Sequence, residues 1–189
     1  MAGRVIGIDA GGTKLLAGVV DEQLGVHHRS VRLWHGTDLA GVLDTMVEAV
    51  EEARAADPDV EAVGCGIPAL VSADGVSHFS THLHLEGVPF RSLLEERLDI
   101  SVFVDNDANL AALAEQRAGA ARGLSDVVML TLGTGVGGGL VLDGRLYRGS
   151  RRLGAELGHM VVNMNGPPCP GNCPNRGCLE VYASGPDKS

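Results

Sequence analysis

The sequence predicts an α/β protein built from two related halves. Short apolar segments typical of buried strands alternate with segments whose apolar residues recur at helical spacing. A strand, a turn rich in Gly and Thr, and a second strand follow one another near Asp9 and again around Leu132. Because both halves repeat this arrangement, we expect two related subdomains that face one nucleotide.

Composition excludes several classes of partner. The 189 residues carry a net charge of −9, with no basic stripe and only six aromatic side chains, which argues against nucleic acid binding. No apolar run approaches the roughly 20 residues of a membrane span, and no cleavable leader precedes the first strand. We therefore expect a soluble protein of the reducing cytoplasm, with no membrane partner.

The first half begins with three strands and a helix. Strands are predicted at Arg4–Asp9, Leu15–Val20 and Val26–Leu33, in an antiparallel meander. Asp38 is the predicted cap of the next helix. Apolar residues recur at helical spacing between residues 39 and 50, which indicates a core-facing helix without chemistry of its own.

The first glycine turn is a candidate phosphate site. Adjacent Gly11 and Gly12 allow backbone N–H groups to approach an anion, and Thr13 and Lys14 add a hydroxyl and a positive charge. The same residues would also suit an ordinary Gly-Gly hairpin, since the motif is neither a Walker loop nor a dinucleotide fingerprint. Asp9, at the end of the strand, favours a metal-phosphate role.

A buried strand is predicted at Val60–Ile67, followed by a long loop over residues 69–89. The loop contains His78, His82 and His84. Without cysteines or a convincing acidic partner nearby, these histidines are expected to be exposed or to face a sugar instead of binding a metal.

Polar residues crowd the end of the next strand. After a helix at Phe90–Leu98, a strand at Val102–Val104 leads into Asp105-Asn-Asp-Ala-Asn109, and an Ala-rich helix is predicted from Leu110 to Ala121. Helix capping needs one such residue, and four polar residues in five exceed that need. Ligands bind at this edge of open α/β sheets, so Asp107 is a candidate general base that takes a proton from a substrate hydroxyl.

The second glycine turn repeats the first. A buried strand at Asp126–Leu132 ends in a loop, Gly133–Gly139, and another strand follows at Leu140–Leu142 with a hairpin turn after it. Two such loops are more specific evidence of phosphate binding than either alone.

A zinc site is predicted near the end of the chain. His159, Cys169, Cys173 and Cys178 have the spacing H-x9-C-x3-C-x4-C, and zinc favours four N or S ligands in tetrahedral geometry. Disulfides are the alternative, but they suit a cytoplasmic chain less well. The fourth cysteine, Cys65, lies in an apolar run and is interpreted as a small buried hydrophobe.

Taken together, these motifs resemble the ROK family of sugar kinases and sugar-responsive repressors, and most of all its ATP-dependent glucokinases. The motifs stand in the family's order and cover essentially the whole chain. They are Asp9-x-Gly-Gly-Thr-Lys14, Asp105-Asn-Asp-Ala-Asn109, Leu132-Gly-Thr-Gly-Val-Gly-Gly-Gly139, Glu156-x-Gly-His159 and the cysteine cluster ending in Gly177-Cys-Leu-Glu180.

The resemblance implies an actin-like (ribonuclease H-like) ATPase fold with sugar and ATP between two domains. A complete N-terminal domain would span residues 1–110. Residues 111–189 would form the first part of the C-terminal domain, with the second phosphate loop and the zinc loop. The family's members are usually dimers or tetramers, so a homo-oligomer is expected.

The resemblance also implies roles for particular residues. Asp107 would be the base that deprotonates the 6-hydroxyl of a hexose, and His159 would bind both zinc and a hydroxyl. The other sugar ligands would be Thr81, Asn106, Glu156 and Glu180. The residues implied for ATP and Mg²⁺ are Asp9, Gly11, Gly12, Thr13, Lys14, Gly133, Thr134, Gly135, Gly137 and Gly138. Zn²⁺ would be structural.

Three departures from the family pattern bear on these expectations. The first cysteine spacing is two residues longer than the common C-x-C-G-x-x-G-C. His82 stands where glucokinase-like members often have Asn, which leaves the hexose open. Family members continue for roughly a hundred residues beyond Ser189, which would leave an apolar sheet face uncovered. The chain is therefore either a fragment of a longer kinase or a partial domain that a partner completes.

Other functions remain open at this point. The chain could be a sugar-binding zinc protein without catalysis, an inactive fragment of a kinase, or, least in keeping with residues 1–150, a bare zinc module. A phosphate donor such as polyphosphate could replace ATP. A repressor is disfavoured because only Met1-Ala2-Gly3 precede the first strand, where repressors carry a helix-turn-helix.

Overall fold

The computed structural model describes residues 3–11, 14–33, 38–80, 85–171 and 173–185. Its strands are β1 (Arg4–Ala10), β2 (Lys14–Val20), β3 (Val26–Leu33), β4 (Val60–Ile67), β5 (Ala69–Val71), β6 (Ser77–Ser80), β7 (Ser101–Asn106), β8 (Val127–Leu132), β9 (Val136–Leu142) and β10 (Arg145–Leu146). Its helices are α1 (Leu39–Ala56), α2 (Phe90–Leu98), α3 (Asp107–Ala118) and α4 (Leu179–Ala183), with a 3₁₀ helix at Leu157–His159.

The chain divides into two compact units, residues 1–107 and 108–189. The first unit contains a five-stranded sheet in the order β3-β2-β1-β4-β7. Strands β1, β2 and β3 are antiparallel, as the predicted meander requires, whereas β1, β4 and β7 are parallel. The carboxyl ends of three strands therefore lie along one edge of this sheet.

Helices α1 and α2 share one hydrophobic core with this sheet. On β1, Ile6 and Ile8 are buried at alternate positions, and on α1 Met46 and Val50 are buried one turn apart. Asp38 caps α1 as predicted, because its side chain accepts a hydrogen bond of 2.8 Å from the N–H of Gly41. The helix is thus a core element, in agreement with its apolar spacing.

The prediction of a single long loop over residues 69–89 is wrong. Strands β5 and β6 form an antiparallel hairpin within it, and Ser72 donates from its N–H to the carbonyl of Val76 over 2.9 Å. Asp74-Gly75 lies in the turn, with Gly75 at φ +80°. This dipeptide is a hairpin signal, but the flanking strands are too short to show a period-2 pattern.

The second unit contains a three-stranded sheet in the order β10-β9-β8. Every second residue of β8 is exposed: Val128 to 69%, Leu130 to 42% and Leu132 to 66%. This apolar row agrees with the uncovered sheet face that the sequence led us to expect.

Two predicted elements also have the wrong bounds. Helix α3 spans Asp107–Ala118 and not Leu110–Ala121. It starts earlier because the last residues of the polar run belong to the helix, where an acidic residue suits the first turn. Strand β9 begins at Val136, so the glycines from 137 to 139 are strand residues and not part of a loop. Both errors come from polar or glycine-rich sequence that suits a turn as well as a regular element.

Candidate functional site

Two carboxylates lie in one row at the carboxyl edge of the first sheet. The register pairs Asp9 of β1 with Gly66 of β4, and Gly66 with Asp105 of β7. Neighbouring strands are about 4.8 Å apart, so the Cα atoms of the two aspartates are separated by about 10 Å, with only Gly66 between them. Asp9 is exposed and Asp105 is buried. Such an edge can present carboxylate oxygens to a hydrated divalent cation.

The first glycine turn connects β1 to β2 directly beside Asp9. The N–H of Gly11 donates to the carbonyl of Lys14 over 2.9 Å, which closes the turn, and Lys14 itself is exposed at the start of β2. The predicted phosphate ligands Gly12 and Thr13 lie outside the described residues. An exposed lysine beside a tight turn is suited to an anionic ligand.

Asp107 is the first residue of α3 and is half-buried. Beside it, the backbone N–H of Asn106 donates to Asp105 Oδ1 over 2.8 Å, and the Asn106 side-chain amide donates to the carbonyl of Ala69 over 3.4 Å. These contacts fix the strand end that leads into the helix.

Sequence reasoning gave no role to two further residues of this motif. Asp105 is 6% exposed and Asn109 is 5% exposed, so both polar side chains are buried where strand passes into helix. Buried polar groups of this kind organise the residues around them. The density of polar residues in the motif was the available signal, since a buried strand end seldom carries so many.

The predicted sugar ligand Thr81 lies outside the described residues, as does His82. The remaining predicted sugar ligands fall in both units. Asn106 and Asp107 belong to the first unit, and Glu156, His159 and Glu180 to the second.

The second glycine turn, residues 133–135, joins β8 to β9. Gly133 donates from its N–H to the carbonyl of Gly135 over 3.0 Å, and Thr134 is exposed at the tip. Glu180 of α4 reaches this turn, since its Oε2 accepts a hydrogen bond of 2.8 Å from the N–H of Val136. The turn is therefore held by a residue 44 positions along the chain.

Gly137, Gly138 and Gly139 are held in the interior of the second unit. A Cβ atom on Gly139 would lie 2.4 Å from the Cβ of Ala112, and one on Gly137 would lie 3.0 Å from the Cβ of Ala108, both on α3. A Cβ on Gly138 would lie 2.5 Å from the carbonyl oxygen of Ala155. Close packing thus requires glycine at these positions, independently of any phosphate.

Glu156 immediately precedes the 3₁₀ helix, and His159 is its last residue. Glu156 is exposed, and its carbonyl accepts a hydrogen bond of 3.1 Å from the N–H of His159. Between them, Gly158 passes so close to β9 that a Cβ would lie 2.0 Å from the carbonyl oxygen of Val136. This contact seats the Glu156–His159 segment directly on the strand that follows the second glycine turn.

The four predicted zinc ligands come together. One ligand atom from each of His159, Cys169, Cys173 and Cys178 lies within 4.8 Å of the others, and Nδ1 of His159 is 3.5 Å from Sγ of Cys169. Cys169 and Cys178 are buried, while His159 and Cys173 are half-buried. The described cysteines are all free thiols, so the cluster is not a disulfide pair.

The chemistry of this donor set fits Zn²⁺. Burial, followed by hydrogen bonds with Cys178 and Cys173, raises the pKa of the Cys169 thiol to about 12. Burial also raises the pKa of Cys178. Three thiols and an imidazole are the soft ligand set of structural zinc sites, where the cation compensates the thiolate charge. Nδ1 is the ring nitrogen of His159 that faces the thiol of Cys169.

Cys65 lies apart from this chemistry, as predicted. It is fully buried in β4, and burial, with a smaller contribution from the charge of Asp9, raises its pKa to about 12. A thiol in this environment is inert.

The fold and this set of motifs define a class of protein. The ROK family pattern matches residues 5–187, and the chain belongs to the ROK family. Its fold is the actin-like ATPase fold of ROK glucokinases.

Within the family, the chain is similar to glucokinases. It is 37% identical to a glucokinase of Streptomyces coelicolor over 97% of its length and 57% of the relative's. It is 39% identical to a glucokinase of Thermotoga maritima over 96% of its length and 57% of the relative's. A ROK glucokinase from Streptomyces griseus, solved with glucose and AMPPNP, superposes with a TM-score of 0.88 at 38% identity, covering 96% of this chain and 57% of that one.

The chain thus spans a little over half the length of the relatives it matches. Among the helices in the described ranges, none combines the length and apolar character that a membrane crossing requires.

Proposed function

We propose that this chain is part of a sugar kinase that transfers the γ-phosphate of ATP to the 6-hydroxyl of glucose or a related hexose. The observation that carries the proposal is its 38% identity, over 96% of the chain, to the Streptomyces griseus glucokinase whose structure contains glucose and AMPPNP. The position of Asp9 at the edge of the first sheet, the glycine turn at 133–135 and the Cys3His cluster support the same proposal.

In the proposed reaction Asp107 is the general base. Its carboxylate takes the proton of the 6-hydroxyl as that oxygen bonds to the γ-phosphorus, and the bond from phosphorus to the ADP oxygen breaks. The products are ADP and the hexose 6-phosphate. Asn106, Glu156, His159 and Glu180, with Thr81, orient the sugar through its other hydroxyls.

The two glycine turns bind the phosphates. Backbone N–H groups at the turns 11–13 and 133–135 and the charge of Lys14 are the donors, and Gly137 and Gly138 support the second turn from β9. Asp9 supplies a carboxylate for hydrated Mg²⁺, which neutralises phosphate charge when bound. Zn²⁺ on the Cys3His cluster is structural and fixes the tautomer and direction of His159.

A domain boundary near residue 110, assembly as a dimer or tetramer, and a cytoplasmic location belong to the same proposal. The row formed by Val128, Leu130 and Leu132 supports completion of the second unit by further chain or by a partner.

The test is a coupled assay of glucose phosphorylation with ATP and Mg²⁺, run on the 189-residue chain beside a longer chain from the same gene. We expect production of ADP that depends on both sugar and nucleotide. Activity in the longer chain alone would assign the remaining nucleotide contacts to residues beyond 189. Sugar binding without phosphorylation in either chain, tested over several hexoses and with polyphosphate, would contradict the kinase and favour a sugar-binding zinc protein.

A further inference from the structure

The second glycine turn is tethered to α4 at both of its ends. At one end, Oε2 of Glu180 accepts a hydrogen bond of 2.8 Å from the N–H of Val136. At the other, the carbonyl of Gly133 accepts one of 2.7 Å from the N–H of Gly185, just beyond the helix. A turn with two glycines has many accessible conformations, so these two tethers select one of them.

The Glu180 carboxylate also packs against the turn itself. A Cβ atom on Gly135 would lie 2.6 Å from Oε2 of Glu180 and 3.5 Å from its Cδ. Gly135 therefore leaves the space that the carboxylate occupies. The absence of a side chain at Gly135 therefore allows the contact with Glu180, and it also allows a phosphate to approach the backbone.

Helix α4 is anchored next to the Cys3His cluster. Cys178 immediately precedes α4 and pairs with Val161 in an isolated β-bridge, and the N–H of Leu179 donates to the carbonyl of Met160 over 2.9 Å. Because the cluster and these backbone bonds hold the start of the helix, the backbone of Glu180 is held in place.

We propose that Glu180 is a positioning residue that holds the 133–135 turn in the conformation it needs to bind phosphate. The phosphate role of the turn rests on the proposed function, whereas the tether itself does not. One carboxylate oxygen, Oε2, holds the turn; in the proposed function the other, Oε1, meets a sugar hydroxyl. A single side chain thus joins the cysteine cluster, the turn and the sugar ligands of the second unit.

The competing explanation is that Glu180 acts only as a sugar ligand, with its contact to Val136 incidental. The two explanations predict different behaviour of the protein when neither sugar nor nucleotide is bound. If Glu180 is a positioning residue, its removal makes solvent exchange of the Val136 amide faster in the free protein. If Glu180 acts only on sugar, its removal leaves that exchange unchanged.

The test is NMR-detected hydrogen exchange of the Val136 amide on the zinc-loaded chain without substrates. In Glu180→Ala we expect exchange to quicken about tenfold or more, since a hydrogen bond to a charged acceptor is lost. In Glu180→Gln the side-chain carbonyl can still accept, so most of the protection should return. Glu156→Ala is the matched control, because it removes another predicted sugar ligand from the same unit and should leave Val136 protected.

Zinc content of each variant, measured by elemental analysis, shows whether the surrounding fold is intact. Glu180→Ala with full zinc and an unchanged Val136 amide would overturn the proposal. If Glu180→Ala loses zinc, the deciding variant is Gly135→Ala, whose added Cβ displaces the Glu180 carboxylate without changing a residue of α4. Quicker exchange of the Val136 amide in Gly135→Ala would support the proposal, and unchanged exchange would reject it. Since no substrate is present, failure of the kinase assay would not alter this result.

Discussion

Nδ1 of His159 lies 3.5 Å from Sγ of Cys169, with Cys173 and Cys178 completing a group of four soft ligand atoms. Nδ1 is therefore the ring nitrogen that faces the thiols, and in the proposed function Nε2 is the one that meets a sugar hydroxyl. In the proposed function, a cation held by this group is structural and fixes the orientation of His159 as a sugar ligand.

The first prediction concerns the metal. Cys173→Ser should reduce the zinc content from about one ion per chain to a small fraction after dialysis against a competing chelator, because a serine hydroxyl is a poor fourth ligand. Elemental analysis of the dialysed protein measures this directly. Cys65→Ala is the matched control, since Cys65 is buried in β4 outside the cluster, and it should retain its zinc. Unchanged zinc in Cys173→Ser would refute the four-ligand site.

The second prediction concerns the proposed base. Asp107→Asn keeps the size of the side chain but removes its basicity, so turnover should fall by about two to four orders of magnitude. Glucose affinity, measured by calorimetry, should change little, because an amide can still hydrogen-bond a hydroxyl.

The control for Asp107 is Asp59→Asn, which removes an equal charge at an exposed position of the same unit and should leave turnover unchanged. If sugar affinity and turnover fell together in Asp107→Asn, the residue would be a binding group and not the base.

Part of the fold followed from local patterns alone. The helical spacing of α1, its cap at Asp38 and the bounds of β3 and α2 were all predictable, because each depends on residues close together in sequence. The Cys3His cluster was predictable for the same reason, as its four ligands fall within 20 residues of one another.

The contacts that organise the second unit could not be predicted in this way. The sequence from Gly133 to Gly139 suits a loop throughout, and only packing of β9 against Ala108 and Ala112 separates the turn glycines from the strand glycines. The bond between Glu180 and Val136 likewise joins residues 44 positions apart. Such tertiary contacts leave no periodic signal.

The third prediction separates these two kinds of glycine. Gly139→Ala places a Cβ 2.4 Å from the Cβ of Ala112 and 2.8 Å from the carbonyl oxygen of Ala108, so it should lower the free energy of unfolding by about 1–3 kcal/mol. Denaturant unfolding followed by circular dichroism measures the change.

The matched control for Gly139 is Gly133→Ala, in the same glycine run. No heavy atom lies within 4 Å of the Cβ that this substitution adds, so the free energy of unfolding should stay within about 0.5 kcal/mol of the starting value. Equal destabilisation by both substitutions would show that close packing does not distinguish strand from turn here.

The last prediction concerns the turn between β2 and β3. His27 Nε2 lies 2.6 Å from Asp21 Oδ2, and the N–H groups of Gln23 and Gly25 donate to Oδ1 over 2.9 and 2.8 Å. The hydrogen bond with His27, followed by that from Gly25, lowers the pKa of Asp21 from its usual value. The folded chain therefore binds this proton less tightly than the unfolded chain.

The stabilisation from Asp21 should accordingly be present above the unfolded pKa of about 3.9 and be lost as the pH falls through the lower folded pKa. We expect Asp21→Asn to be less stable than the unaltered chain at pH 6, and the difference to close towards pH 3, in urea unfolding followed by circular dichroism. Glu22→Gln removes an equal charge from the same exposed turn and controls for the general effect of net charge. A difference for Asp21→Asn that persisted undiminished at pH 3 would mean that the carboxylate charge is not what stabilises the turn.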